Sequence, residues 1–214
     1  MTPSLGVRLV MAGATSIVLT VTAILALHAA SAVLAVAAIA AVTVLLGWFG
    51  HSASTSEHSG LAEVNAAWAL PLALAGRARF GELLPLLVVQ VAAAIAAGFG
   101  AAALGTRLGE PLLFDAPTPW NVALITVLVG LLTAWTVLAV DGQAPGALLA
   151  APVAAAGAAP SIALVAATNP AVTLGAAAAG LLSWPTAVAA AAGLLAVTAL
   201  GAFAIAAVAP DTES

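Results

Sequence analysis

Asn169-Pro170-Ala171-Val172-Thr173-Leu174-Gly175 lies within a stretch, Gly142 to Pro210, that contains no Asp, Glu, Lys or Arg. Asn is a strong N-cap, and Pro at the first helical position lacks an N–H that would go unpaired there in any case. The pair predicts a helix that starts at 170. A polar helix end inside so long an apolar stretch is tolerated at membrane depth only where protein or water lines it. The segment reads as one half of a pore.

The composition around it sets the class. Of 214 residues, 64% are hydrophobic and 6% are charged, against about 25% charged in soluble domains. The chain reads as an all-α membrane protein forming a single domain, 1–214, with room for about six spans of about 20 residues each. Long apolar runs without alternation exclude a transmembrane β-barrel. There is no Cys, which removes disulfides, thiol catalysis and Cys-ligated metals. No basic patch exists for nucleic acid. Arg8, the apolar run Leu9 to Leu27 and the Ala-Ala-Ser-Ala at 29–32 outline a signal peptide. The run exceeds the usual core of about 7–15 residues and a second span follows at once, so an uncleaved first helix is expected.

Charges punctuate the layout. None falls between Leu9 and Ser56, which is room for two spans, near 6–28 and 32–50. A polar segment at 51–60 precedes a short apolar helix, about 65–76, that ends at Gly76-Arg77-Ala78-Arg79. At some ten residues it reaches only about half the hydrocarbon thickness. Further spans are expected near 81–104, 120–140, 146–166 and 184–208, with a second short helix at about 170–181. Of four positive charges, Arg8, Arg77 and Arg79 fall on one side of this layout and Arg107 on the other. The excess puts both termini in the cytoplasm.

The two short helices correspond. Asn65-Ala66-Ala67-Trp68-Ala69-Leu70-Pro71-Leu72-Ala73-Leu74-Ala75-Gly76 aligns with 169–180 at an offset of 104 (169 minus 65), matching the Asn, an Ala, the Leu and the closing Gly. Each half has the order span, span, short helix, span: about 6–104 and about 120–208. An odd number of full spans per half inverts the second copy, the plan in which discontinuous helices meet near the midplane.

On these residues the chain resembles the aquaporin and glycerol-facilitator (major intrinsic protein) family. The signature Asn169-Pro170-Ala171 is intact, and Asn65-Ala66-Ala67 is a degenerate copy. His58-Ser59-Gly60 precedes Asn65 at a spacing where the family often has His and a Gly-rich turn. Gln90 falls where the family commonly keeps a Gln. The resemblance implies six transmembrane helices plus two re-entrant half-helices, with Asn65, Ala66, Ala67, Asn169, Pro170 and Ala171 lining the pore. It also implies a homotetramer in the plasma membrane. Its partners would be the lipid bilayer and the water or small neutral solutes that pass; no cofactor or metal is implied. Two departures stand out. Val172 occupies the position where the family usually has its filter Arg, and the first and fourth spans lack the usual buried Glu. Counting from the two Asn puts the remaining filter positions near Leu45, Gly157 and Ala166, which makes an apolar filter without a fixed cation.

The chemistry is that of two helix starts. Each leaves backbone N–H groups unpaired and carries about half a positive charge. An Asn can cap with its oxygen and offer its amide N–H groups to a passing molecule. Positive half-helix ends exclude protons and cations in pores of this type. His58 braces or gates the loop, or is an ordinary polar loop residue. Glu57 and Glu63 either anchor the re-entrant loop by accepting backbone N–H bonds or stay solvated. Gln90 bonds loop backbone, or a neighbouring helix without a pore role. Gly98, Gly100, Gly157 and Gly180 read as close helix contacts. Trp48, Trp120 and Trp184 read as interface anchors, and Trp68 either joins them or narrows the inner pore.

The expectation is a passive channel for water or small uncharged solutes such as glycerol. An inverted-repeat transporter and a non-conducting structural relative are the alternatives. An intramembrane enzyme would need a nucleophile with its base, or a ligand cluster, and the spans carry neither.

Overall fold

The structure, a computed structural model, describes residues 3–29, 31–55, 58–111, 118–157 and 169–208. These are helical apart from turns and one isolated bridge between Thr55 and His58. The helices are α1 (Leu5–Ala26), α2 (Ala32–Ser52), α3 (Ala66–Leu74), α4 (Phe80–Leu104), α5 (Pro119–Asp141), α6 (Ala151–Ala156), α7 (Pro170–Ala178) and α8 (Trp184–Val208). A 3-10 turn, Gly60–Glu63, precedes α3, and another, Gly146–Ala150, leads into α6.

Five helices, α1, α2, α4, α5 and α8, are long and apolar enough to cross a membrane. At 1.5 Å per residue they measure about 32–38 Å, against about 30 Å of hydrocarbon. They fit an integral membrane protein. The span expected over 146–166 is described only as far as Gly157; residues 158–166 lie outside the described residues. α1, α2 and α5 begin on hydroxyl caps. Ser4 accepts from the Val7 N–H, Ser31 from Leu34, and Thr118 from Asn121, with Pro119 opening α5. Such caps satisfy orphan N–H groups, which matters most where water is absent.

Four of the long helices form two parallel pairs, α1 with α4 and α5 with α8. Arg8 at the start of α1 bonds Glu82 at the start of α4, while Ile24 and His28 share a cleft with Ala101, Ala102 and Gly105 at the far ends. In the second pair, Pro119 of α5 and Pro185 of α8 line the mouth of one groove. Farther along, a Cβ on Gly201 would come within 2.9 Å of Ala134. The short helices dock across these pairs. α3 packs on α5 and α8, and α7 on α4, α1 and its own half's α8.

The two short helices are built alike, in the register expected from the sequence. Each has nine residues, begins one residue after its Asn and ends on a glycine in the left-handed region, Gly76 (φ 73°) and Gly180 (φ 77°). Around Gly76 its N–H donates to the Ala73 carbonyl and that of Arg77 to Leu72; around Gly180 the same bonds run to Ala177, and from Leu181 to Ala176. These are C-terminal glycine caps, which stop a helix cleanly. Gly180, expected as a packing glycine, faces open space where a Cβ would sit, so its role is the turn. Gly100 likewise meets nothing. Gly98 does pack: a Cβ there would collide with the Gly175 carbonyl oxygen of α7.

Candidate functional site

Asn65 and Asn169 bring the two helix starts together. Both have extended backbones, and both spend their side-chain oxygen on the cap. Asn65 Oδ1 accepts from the Ala67 N–H at 2.8 Å, and Asn169 Oδ1 from the Ala171 N–H at 2.9 Å. Both Asn line one small cavity with Leu19 and Ala23 of α1, Ile39 and Thr43 of α2, and Val172 of α7. The space open to the centre of a water-sized sphere there is about 10 Å³, room for a single water. The Asn169 amide nitrogen is buried and has no hydrogen-bond partner among the described residues. An unpaired buried N–H₂ is costly, and it is suited to a polar molecule in the cavity. Two N-terminal helix dipoles add positive potential at the same spot.

Behind the asparagines, one stripe of α4 holds both halves. Leu86, Gln90, Ala94 and Gly98 are its buried residues, spaced four apart and therefore on one face. Gln90 Nε2 donates to the Ala62 carbonyl at 3.2 Å, just ahead of α3. Ala94 packs with Ala66 and Ala171, the first helical residue of α3 and the second of α7. Gly98 lies against Gly175.

The turn before α3 is held by charge. Glu63 is 1% exposed, and its Oε1 accepts from Arg8 Nε at 2.6 Å and from His58 Nε2 at 3.0 Å, an arrangement that needs the proton on Nε2. Arg8 Nη1 also donates to Glu82 Oε2 at 2.6 Å. Thr15 Oγ1 donates to the Glu63 carbonyl at 2.8 Å. Burial pushes the Glu63 carboxyl up; the hydrogen bonds from His58 and Arg8 outweigh it and hold the group below the usual carboxylate range. A second clasp ties the end of α3 to α5. Arg77 Nε donates to Asp141 Oδ2 at 2.7 Å, and the Ser59 N–H donates to the Arg77 carbonyl at 2.8 Å.

The residues expected at the site divide accordingly. Asn65, Asn169 and Val172 line the cavity; Ala66, Ala67, Pro170 and Ala171 are buried behind them. His58 and Gln90 both bond the turn before α3 or its carboxylate, as a bracing reading requires. Glu63 fits neither role expected of it: its carboxylate accepts from side chains and is not solvated. Leu45 is 56% exposed on the outer face of α2 and lies off the cavity, whose α2 wall is Ile39 and Thr43. Gly157 packs against Val36 of α2. Ala166 and Glu57 lie outside the described residues. Trp68 is 2% exposed near Gly47, whereas Trp48, Trp120 and Trp184 are exposed. The sequence marks Arg8 only as an orienting charge and gives Glu82 and Thr43 no distinction. A charge within the first turn of a spanning helix is itself a signal for a buried partner.

No protein-family model matches the chain, and no curated protein matches it.

Proposed function

We propose that this protein is a passive transmembrane channel for water or small uncharged solutes, with an aquaporin-like inverted repeat. The observation that carries the reading is the shared cavity. Two asparagine-capped helix starts meet there, the space fits one water, and an amide nitrogen has no partner among the described residues. Three further features support it. The short helices repeat at an offset of 104 with the same caps at both ends. Each short helix packs on two helices of the other half, α3 on α5 and α8 and α7 on α1 and α4, with α7 also against α8 of its own half. The pattern suits six spans, five of them α1, α2, α4, α5 and α8.

A water or alcohol oxygen accepts from the Asn169 amide, while a cation meets two positive helix ends without a compensating carboxylate on the cavity wall. Val172 supplies no fixed cation at the wall, so exclusion of charge falls to the helix ends. In this reading the chain forms a homotetramer in the plasma membrane with both termini cytoplasmic.

Stopped-flow swelling of proteoliposomes, with water and glycerol tested side by side, is the experiment. Permeability above that of empty vesicles, linear in solute gradient, is expected. Flux that saturates favours a transporter, and no flux for either solute overturns conduction.

A further inference from the structure

The cavity has a third polar group besides the two amides. Thr43 is 4% exposed and lines the wall opposite the short helices, one turn after Ile39 on α2. Thr15 and Thr173, beside the short helices, spend their hydroxyls on backbone. Thr15 donates to the Met11 carbonyl at 3.0 Å and to that of Glu63, and Thr173 to that of Asn169 at 2.9 Å. Among the described residues, none is hydrogen-bonded to the Thr43 hydroxyl. The hydroxyls of Thr20, Thr126 and Thr133 also lack a partner there, but those residues lie off the cavity wall. Among the described residues, the rest of the wall away from the amides is Leu19, Ala23, Ile39 and Val172, none of which offers a side-chain acceptor.

The Asn169 amide nitrogen donates to a molecule in this space, while its oxygen already accepts the Ala171 N–H. A water or alcohol oxygen that accepts from it still has a hydrogen to place. A threonine hydroxyl has two lone pairs and a rotating proton, so it can accept that hydrogen. We propose that Thr43 is a specificity-determining residue of the channel, and the proposal rests on the channel function proposed for this chain. Its hydroxyl accepts the O–H of the molecule held at Asn169 and so lowers the barrier of an otherwise apolar ring for water and hydroxyl-bearing solutes.

The test uses the full chain in proteoliposomes, with water and glycerol permeability measured by stopped flow at several temperatures. Thr43→Val keeps the shape and removes the hydroxyl; Thr43→Ser keeps the hydroxyl. Thr43→Val is expected to lower both permeabilities by about two- to tenfold and to steepen their temperature dependence, the loss of one net hydrogen bond. Thr43→Ser is expected to restore most of it. An unchanged melting temperature separates this from damage to the fold, and Thr43→Ala carries the same expectation if the Val variant does not reconstitute. Wild-type permeability and temperature dependence in Thr43→Val overturn the role of Thr43 and leave the channel standing. Wild-type vesicles no more permeable than empty ones overturn both.

Discussion

The two short helices are alike in length, cap and termination, yet they are anchored by opposite physics. The turn before α3 is held by ions: Glu63, Arg8, His58 and Glu82 form one connected set, with Gln90 on the backbone beside it. α7 lies in a stretch without a single charged residue and is held by close approach. A Cβ on Gly175 would fall 2.6 Å from Thr20 Cγ2 and 2.7 Å from the Ala94 carbonyl oxygen. At the register of Gln90, α8 carries Leu194, fully buried. Ion pairs fix direction but are costly to bury; glycine contacts cost no desolvation but demand an undistorted backbone. One geometry is thus reached by two routes, and each route fails in its own way.

Breaking the ionic side gives the largest effect. Arg8→Ala removes the cation that Glu63 and Glu82 share, leaving buried Glu63 with His58 alone and half-buried Glu82 with the exposed Arg79 at 3.8 Å, and loss of one partner of a buried pair costs about 3–5 kcal/mol. The expected outcome is a sharp fall in folded yield and melting temperature in detergent, with α3 losing amide protection before α7. Breaking the packed side comes next. Gly98→Ala forces a methyl group against the Gly175 carbonyl and is expected to cost about 1–3 kcal/mol, with α7 now the first to exchange its amides. Acid separates the halves without mutation. Because the folded Glu63 carboxyl titrates below its ordinary value, its contribution is present at neutral pH and is lost as pH falls through and below the carboxylate range. Hydrogen exchange across that range should show α3 loosening while α7, with no ionisable residue of its own, holds. The smallest effect bears on the likeness of the two helices. Asn65 is already extended (φ −143°, ψ 128°), as a residue before proline must be, and Ala66 opens the helix. Ala66→Pro should raise stability by about 0.4–1 kcal/mol, read as a small rise in melting temperature.

What the sequence disclosed and what it hid follow the same division. Asn-Pro, the charge-free stretches and the glycine ends are local signals, and they located α3, α7 and the long helices to within a few residues. Leu45 and Thr43 were not distinguishable in this way. α2 is apolar all round, so no period marks its inward face, and only packing reveals that Thr43 points in while Leu45 is 56% exposed. Counting residues back from Asn65 also assumes a fixed path through the turn at Gly60–Glu63. Gly180 escapes a reading from sequence because a glycine is equally suited to a tight contact and to a left-handed turn, and Gly100, inside α4, faces open space. The pairing of Arg8 with Glu63, 55 residues away, has no local trace at all.

The exchange of packing partners has a consequence for synthesis. α3 is made early, but two of its supports, α5 and α8, are made later. Until Trp184 and the residues after it are made, the first asparagine-tipped helix has its own half, α5 and the tip of α7 to lean on, but not α8. Its final seat arrives with the last described helix, so the mouth of the first half is completed from the far end of the chain.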